Sequence, residues 1–361
     1  MQYSKNAQLG GTILPVDIVL APEWWNKNEK ITFDEDFFFH PLKRVEVEQQ
    51  MEQILYDRWG KYGMGGHRKE RRPELGAVHL AAGFLLSEML GCSVNYSESH
   101  PPQVIQAHRE ELNSHAKQAF RSDAFKRIEK LADSLKGKFG YLSGDINWGG
   151  ILNIAMDLRG ENIFLDMMMT PDEVKVFFSE IAEVIEKFTS YLQQETGTTS
   201  ISVNRVVRHF TSPVLLHSEC SHTMISEEDY ETYLLPFDIK WSQHRPFGIH
   251  YCGADPHRMA ASFAKIPNLD FLDVGWGGDV KILRRHLPNT FLNIRLSPVE
   301  IARQSNDEIR ETINRLVKES DNPYLTGICC INMDDGVSDD RIETIFSTVQ
   351  DLKKEYALAN Q

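Results

Sequence analysis

Phe247-Gly248-Ile249-His250-Tyr251-Cys252 is a short apolar run that closes on two ligand-type side chains. Read as a strand, its side chains alternate faces, so His250 and Cys252 point the same way. The run is one of a series. Segments 213–219, 270–275, 290–295 and 324–330 have the same strand-like composition. Helix-like segments separate them, at 227–243, 256–265, 279–286, twice within 298–319, and at 339–355. Strands alternating with helices imply parallel pairing, because a parallel neighbour needs a long crossover. Repetition over this length fits an α/β fold, a closed (β/α)8 TIM barrel, better than a doubly wound open sheet.

Helix signals support the same reading. Ser226 is placed as an N-cap with Asp229 at the third helical position, and Pro236 should kink the helix that follows. Ser297-Pro298-Val299-Glu300 sets a cap, a first-position proline and a glutamate in order, and Ser305 with Glu308 repeats the box. Thr170-Pro171-Asp172-Glu173 does the same upstream. The helix it opens carries Val174, Phe177, Phe178, Ile181, Val184, Ile185 and Phe188 on one face.

The whole chain, residues 1–361, reads as a single barrel domain. Residues 1–135 are expected to form a mainly helical N-terminal extension over the barrel mouth, with helices near 43–59 and 109–135. Residues 136–361 supply most of the barrel. The formal net charge of −13, from 39 Lys+Arg against 52 Asp+Glu, argues against a general nucleic-acid binder. The five cysteines are odd in number and two are adjacent, which is no disulfide framework and suits a reducing compartment. The N-terminus lacks a signal-peptide pattern, and no apolar stretch approaches bilayer-spanning length. A cytoplasmic location away from the membrane is therefore expected. The oligomeric state is left open, a homo-oligomer included.

Barrel enzymes build their active sites at the C-terminal ends of the strands. Glu219, Cys252, Asp273, Arg295 and Cys329 all fall at or near such ends. His250 and Cys252 make half of a tetrahedral zinc site, and a cysteine on the last strand could add a third ligand. Three protein ligands with one open position describe a catalytic zinc. Adjacent residues on a strand face opposite ways, so Cys329 or Cys330, but not both, should face the barrel. Glu219 lies in a crowd of ligand-type groups, Leu215-Leu216-His217-Ser218-Glu219-Cys220-Ser221-His222. It could be a labile fourth ligand or a base, or only a cap; Cys220 points away from it unless the strand has ended.

Gly144-Asp145-Ile146-Asn147-Trp148-Gly149-Gly150 lacks the lysine of a phosphate loop. It could present Asp145 and Asn147 to a ligand, or simply turn the chain. Asp273, in Phe271-Leu272-Asp273-Val274-Gly275-Trp276-Gly277-Gly278, could line the pocket. The basic run His67-Arg68-Lys69-Glu70-Arg71-Arg72 reads first as a solvated loop.

Ile225-Ser226-Glu227-Glu228-Asp229-Tyr230-Glu231-Thr232-Tyr233-Leu234-Leu235-Pro236-Phe237 resembles a signature segment of the uroporphyrinogen decarboxylase superfamily. The likeness continues from Phe247 through Pro298 and covers about residues 140–350. True decarboxylases of that superfamily carry an N-terminal arginine pair, whereas residues 10–25 here contain no arginine. The other branch, the zinc-dependent corrinoid methyltransferases similar to methylcobamide:coenzyme M methyltransferase, bears H-x-C followed much later by a lone cysteine. His250, Cys252 and Cys329 match that pattern; the Cys329-Cys330 doublet departs from it and keeps Cys330 in reserve. The resemblance implies Zn2+ on these residues. Glu219, Asp145 and Asp273 stand beside them as catalytic candidates from their places in the sequence, with Glu219 also in reserve as a further ligand. It further implies a methylcorrinoid carried by a separate corrinoid protein, and a small-molecule methyl acceptor or donor, most readily a thiol. Two alternatives stand beside it. A decarboxylase on the same fold predicts no metal and a cluster of pocket arginines. A non-enzymatic metal-binding protein predicts a closed four-ligand site.

Overall fold

Six parallel strands build the wall that carries the site. In a computed structural model, which describes residues 11–67, 71–77, 79–81, 83–198 and 210–359, the strands in chain order are β1 (Val16–Leu20), β2 (Ser93–Asn95), β3 (Gln103–Ile105), β4 (Leu215–Ser218), β5 (Phe247–His250), β6 (Leu269–Val274), β7 (Phe291–Arg295) and β8 (Thr326–Met333). The curled sheet runs β1-β8-β7-β6-β5-β4, every neighbouring pair parallel, and β2 and β3 form a separate antiparallel pair. Glu74 and Ser143 make an isolated parallel bridge, and the Gly150 N–H donates to the Ser218 carbonyl at the free edge of β4. The fold is thus an α/β barrel of the TIM type.

Four of the five C-terminal strands fall within two residues of their sequence-predicted positions, and β8 runs three residues past its predicted end, to Met333. β1 does not belong to an extension: it lies in the stretch read as helical cover and pairs with β8 inside the barrel sheet. Of the two early helices, one spans Pro41–Trp59; the other is shorter than expected, Asp123–Phe139 behind a 3-10 turn at Ala116–Arg121. Ser226 and Asp229 form the reciprocal cap expected of them, as do Ser305 and Glu308. Thr170 makes no side-chain cap bond, although the seven residues expected on the apolar face of the helix it precedes are all buried. The helix expected over 227–243 is two, Glu227–Tyr233 and Leu235–Ser242. Pro236 stands in the first turn of the second, where its missing N–H costs nothing. Arg68, Lys69 and Glu70 of the basic run lie outside the described residues. No helix among the described residues is long and apolar enough to cross a membrane.

Strand alternation sorts the core into two layers. Leu215, Ile249, Leu272, Leu292, Ile328 and Cys330 face outward and join the main hydrophobic core with the helices. Leu216, Phe271 and Phe291 face inward and close the barrel floor with Phe210 and Val214. Gly248 and Gly327 are required there, because a Cβ on either would stand about 3 Å from Phe271 or Phe291 respectively. One step along the strands the inward positions turn polar. Asp17, His250, Asp273, Asn293 and Cys329 sit above the aromatic floor, all under 10% exposed. Burial of so many polar groups is costly unless they satisfy one another.

Candidate metal centre

β5 ends at His250, and the chain leaves the sheet through Tyr251 and Cys252. β4 ends at Ser218, and a 3-10 turn at Cys220–Met224 follows. That turn breaks the alternation and brings Cys220 back toward the barrel. The ligand atoms of Cys220, His250 and Cys252 all lie within 4.8 Å of one another. Zn–S bonds of about 2.3 Å and Zn–N bonds of about 2.0 Å set tetrahedral neighbours roughly 3.5–3.8 Å apart, so this donor set fits zinc.

The imidazole is oriented from behind. His250 Nδ1 contacts the Asp273 carboxylate, which makes Nε2 the nitrogen that would meet a metal. Asp273 is itself held by Arg295 Nη2 at 3.0 Å and Asn293 Nδ2 at 3.3 Å. Burial works against a charged His250, but the Asp273 carboxylate outweighs it and its pKa is raised. Hydrogen bonding from Cys220 pulls the Cys252 thiol well below the usual thiol range, helped by His250 and Arg295. Cys220 is pushed up in return, by that same bond and by burial. Of the pair, Cys252 is the more acidic thiol and Cys220 the less.

The other sequence candidates are placed as follows. Cys329 faces the barrel interior, fully buried, with its Sγ 3.7 Å from Asp273 Oδ1; it is not one of the three groups that already converge. Cys330 faces outward, its Sγ 3.6 Å from the Leu296 carbonyl. Glu219 is fully buried and acts as a cap. Its carboxylate accepts N–H bonds from Leu152 at 2.7 Å, Asn153 at 3.1 Å and Ser221 at 3.2 Å, which leaves it committed to backbone rather than to an ion or a substrate. Asp145 is buried behind Gly76, where a Cβ would come within 1.7 Å of the Asp145 carbonyl oxygen. Asp273 does not line the cavity; it supports His250. His217 faces the outer layer, bonded to Asp238 at 2.7 Å. His222 is a neutral core histidine stacked on Tyr251 at 5.6 Å, its pKa driven well down by burial.

A cavity of about 380 Å³ opens beside the convergent trio. Cys220 and His250 form part of its wall, with Asn147, Trp148, Asn153, Met156 and Asp157 among the remainder. Sequence reading set Cys220 among the ligand-type groups near Glu219 but did not join it to His250 and Cys252. The only signal was its place just after a strand of uncertain end.

No family model matches the chain, and no curated protein sequence does. Among solved structures, a methyltransferase from Methanosarcina mazei is similar with a TM-score of 0.65 at 12% identity, over 96% of this chain and 97% of that one. A B12-independent methionine synthase from Shewanella sp. W3-18-1, in complex with selenomethionine, is similar with a TM-score of 0.53 at 9% identity, over 96% and 100% of the two chains. At such identities the likeness establishes the barrel fold and its extent.

Proposed function

We propose that this protein is a zinc-dependent methyltransferase, moving a methyl group between a corrinoid carried by a separate protein and a small-molecule acceptor or donor, most readily a thiol. The observation that carries the reading is the convergence of Cys220, His250 and Cys252 beside an open cavity at the C-terminal ends of parallel strands. The two structural neighbours, a methyltransferase and a methionine synthase, are in keeping with it.

His250 and Cys252 are the central ligand pair. Two further sulfurs enter the reading: Cys220, which converges with the pair and forms cavity wall, and Cys329, whose Sγ stands 3.7 Å from Asp273 Oδ1. We assign Cys329 as the permanent third ligand, following the H-x-C…C pattern, and Cys220 as the group an incoming thiol meets. Zinc in this place would supply Lewis acidity, lowering the pKa of a bound thiol so that a thiolate is present at neutral pH. The chain's own residues do the rest. Asp273 fixes the His250 ring, Arg295 fixes Asp273, and Glu219 anchors the helix Ile151–Arg159 whose Asn153 and Met156 wall the cavity. A decarboxylase needs pocket arginines, and among the described residues lining this cavity there is none.

Metal content of the purified protein tests the reading directly. About one zinc per chain, lost in Cys252→Ser, is expected, together with methyl transfer from methylcobalamin to a small thiol. Metal-free wild-type protein of full stability would remove the proposal.

A further inference from the structure

The cavity beside the trio has a definite charge character. Its described lining contains one carboxylate, Asp157, three side-chain amides, Gln106, Asn147 and Asn153, and no lysine or arginine. Arg295, the guanidinium whose field reaches the cysteines, is tied to Asp273 and does not line this space.

The lining also has a direction. Asn153, Met156 and Asp157 stand on one helix at spacings that share a face. Asn153 is at the sulfur end: its Oδ1 accepts from Ser221 N at 3.0 Å, next to Cys220, and its Nδ2 donates to Ser218 O at 2.9 Å. Asp157 follows one turn further on, about 6 Å along the helix axis. One oxygen of Asp157 accepts from Ser87 Oγ at 2.6 Å, which fixes the carboxylate without neutralising it. A molecule with its sulfur at Cys220 and His250 would therefore extend its other end toward Asp157.

We infer that this site takes a small thiol or thioether whose non-reacting end is a cation, an amine or methylated ammonium, and that Asp157 is the residue that selects it. The inference rests on the zinc-thiol reading of the same site. A sulfonate or carboxylate end would meet a half-buried carboxylate with no countercharge, while a cation would pair with it in surroundings where water screens poorly. Burial already raises the Asp157 pKa, so a cation there would relieve a standing cost.

The test is calorimetric and needs no turnover. Protein as purified, with zinc measured on the same sample, is titrated with three thiols of matched length: 2-aminoethanethiol, 2-mercaptoethanol and 2-mercaptoethanesulfonate. The amine is expected to bind about tenfold more tightly than the alcohol, and the sulfonate more weakly still. Asp157→Asn should bring the amine down to the alcohol's level, with zinc content and the alcohol's affinity unchanged. A zinc-loaded protein that binds the sulfonate as tightly as the amine, or an Asp157→Asn variant that keeps the preference, overturns the inference and leaves the zinc reading standing. Protein without zinc that binds none of the three overturns both.

Discussion

His250 and Asp273 face each other across β5 and β6 at the same register position, imidazole Nδ1 against carboxylate. This pairing is why the ring presents Nε2 and not Nδ1 to the sulfurs. Register makes the contact obligatory, since a one-residue slip of either strand would turn one partner into the helix layer. Asp273→Asn is expected to keep the fold and to weaken metal binding by about 10–100-fold, measured by competition with a chelator. Unchanged affinity would mean that Asp273 only balances the charge of Arg295.

The flanking sulfurs are distinguishable by substitution. Cys252→Ser should abolish metal binding. Cys329→Ser should also lose zinc on dialysis, whereas Cys220→Ser should retain about one ion per chain and lose affinity for small thiols. The basis is position: Cys329 is fully buried against Asp273, and Cys220 forms cavity wall. Zinc lost from Cys220→Ser but retained by Cys329→Ser would reverse the assignment and make the three already convergent groups the permanent set.

How much of this was legible beforehand follows from the local physics. The strands 247–250 and 291–295 announce themselves because both faces are buried and the runs are short, apolar and bounded by turns. His250 and Cys252 follow from alternation alone. β1 was not legible, because a five-residue strand before helices gives no repeat from which to read it. Cys220 was hidden for a different reason. Whether it faces the site depends on β4 ending at Ser218, and strand ends are set by the 3-10 turn that Glu219 and Ser221 stabilise, a tertiary matter. Glu219 stayed open between ligand, base and cap, because a carboxylate near ligands looks alike in sequence whether it serves an ion or three backbone N–H groups.

The thiolate on Cys252 has a pH signature. Its pKa is depressed by the bond from Cys220 and by His250, so the reactive form persists as pH falls. An ordinary thiol near pKa ~8.5 is roughly 0.3% ionised at pH 6. In protein stripped of metal by a chelator, iodoacetamide should therefore label Cys252 readily at pH 6, with little gain between pH 6 and 8. Cys220, shifted upward, should label only as pH rises. Peptide mass mapping reads both. Equal, steeply pH-dependent labelling of the two would show that the thiols do not share a proton as the geometry indicates.

Glu219 makes the opposite prediction, on stability and not on chemistry. Its carboxylate serves three backbone donors in a fully buried place. Glu219→Ala strands those donors and should cost about 3 kcal/mol by chemical denaturation. Burial raises its folded pKa from 4.5 to about 7, against the opposing pull of His217 and the three N–H groups. The folded state therefore holds this proton more tightly than the unfolded chain does. The associated stabilisation is complete below about pH 4.5 and is lost as pH climbs through about 7. Glu219→Gln, which carries no titrating group but keeps one acceptor oxygen, should flatten that part of the curve. With metal removed from both proteins, wild type is expected to lose more stability than Glu219→Gln between pH 5 and pH 8. Parallel curves would mean that the carboxylate stays ionised throughout, its three N–H bonds outweighing burial.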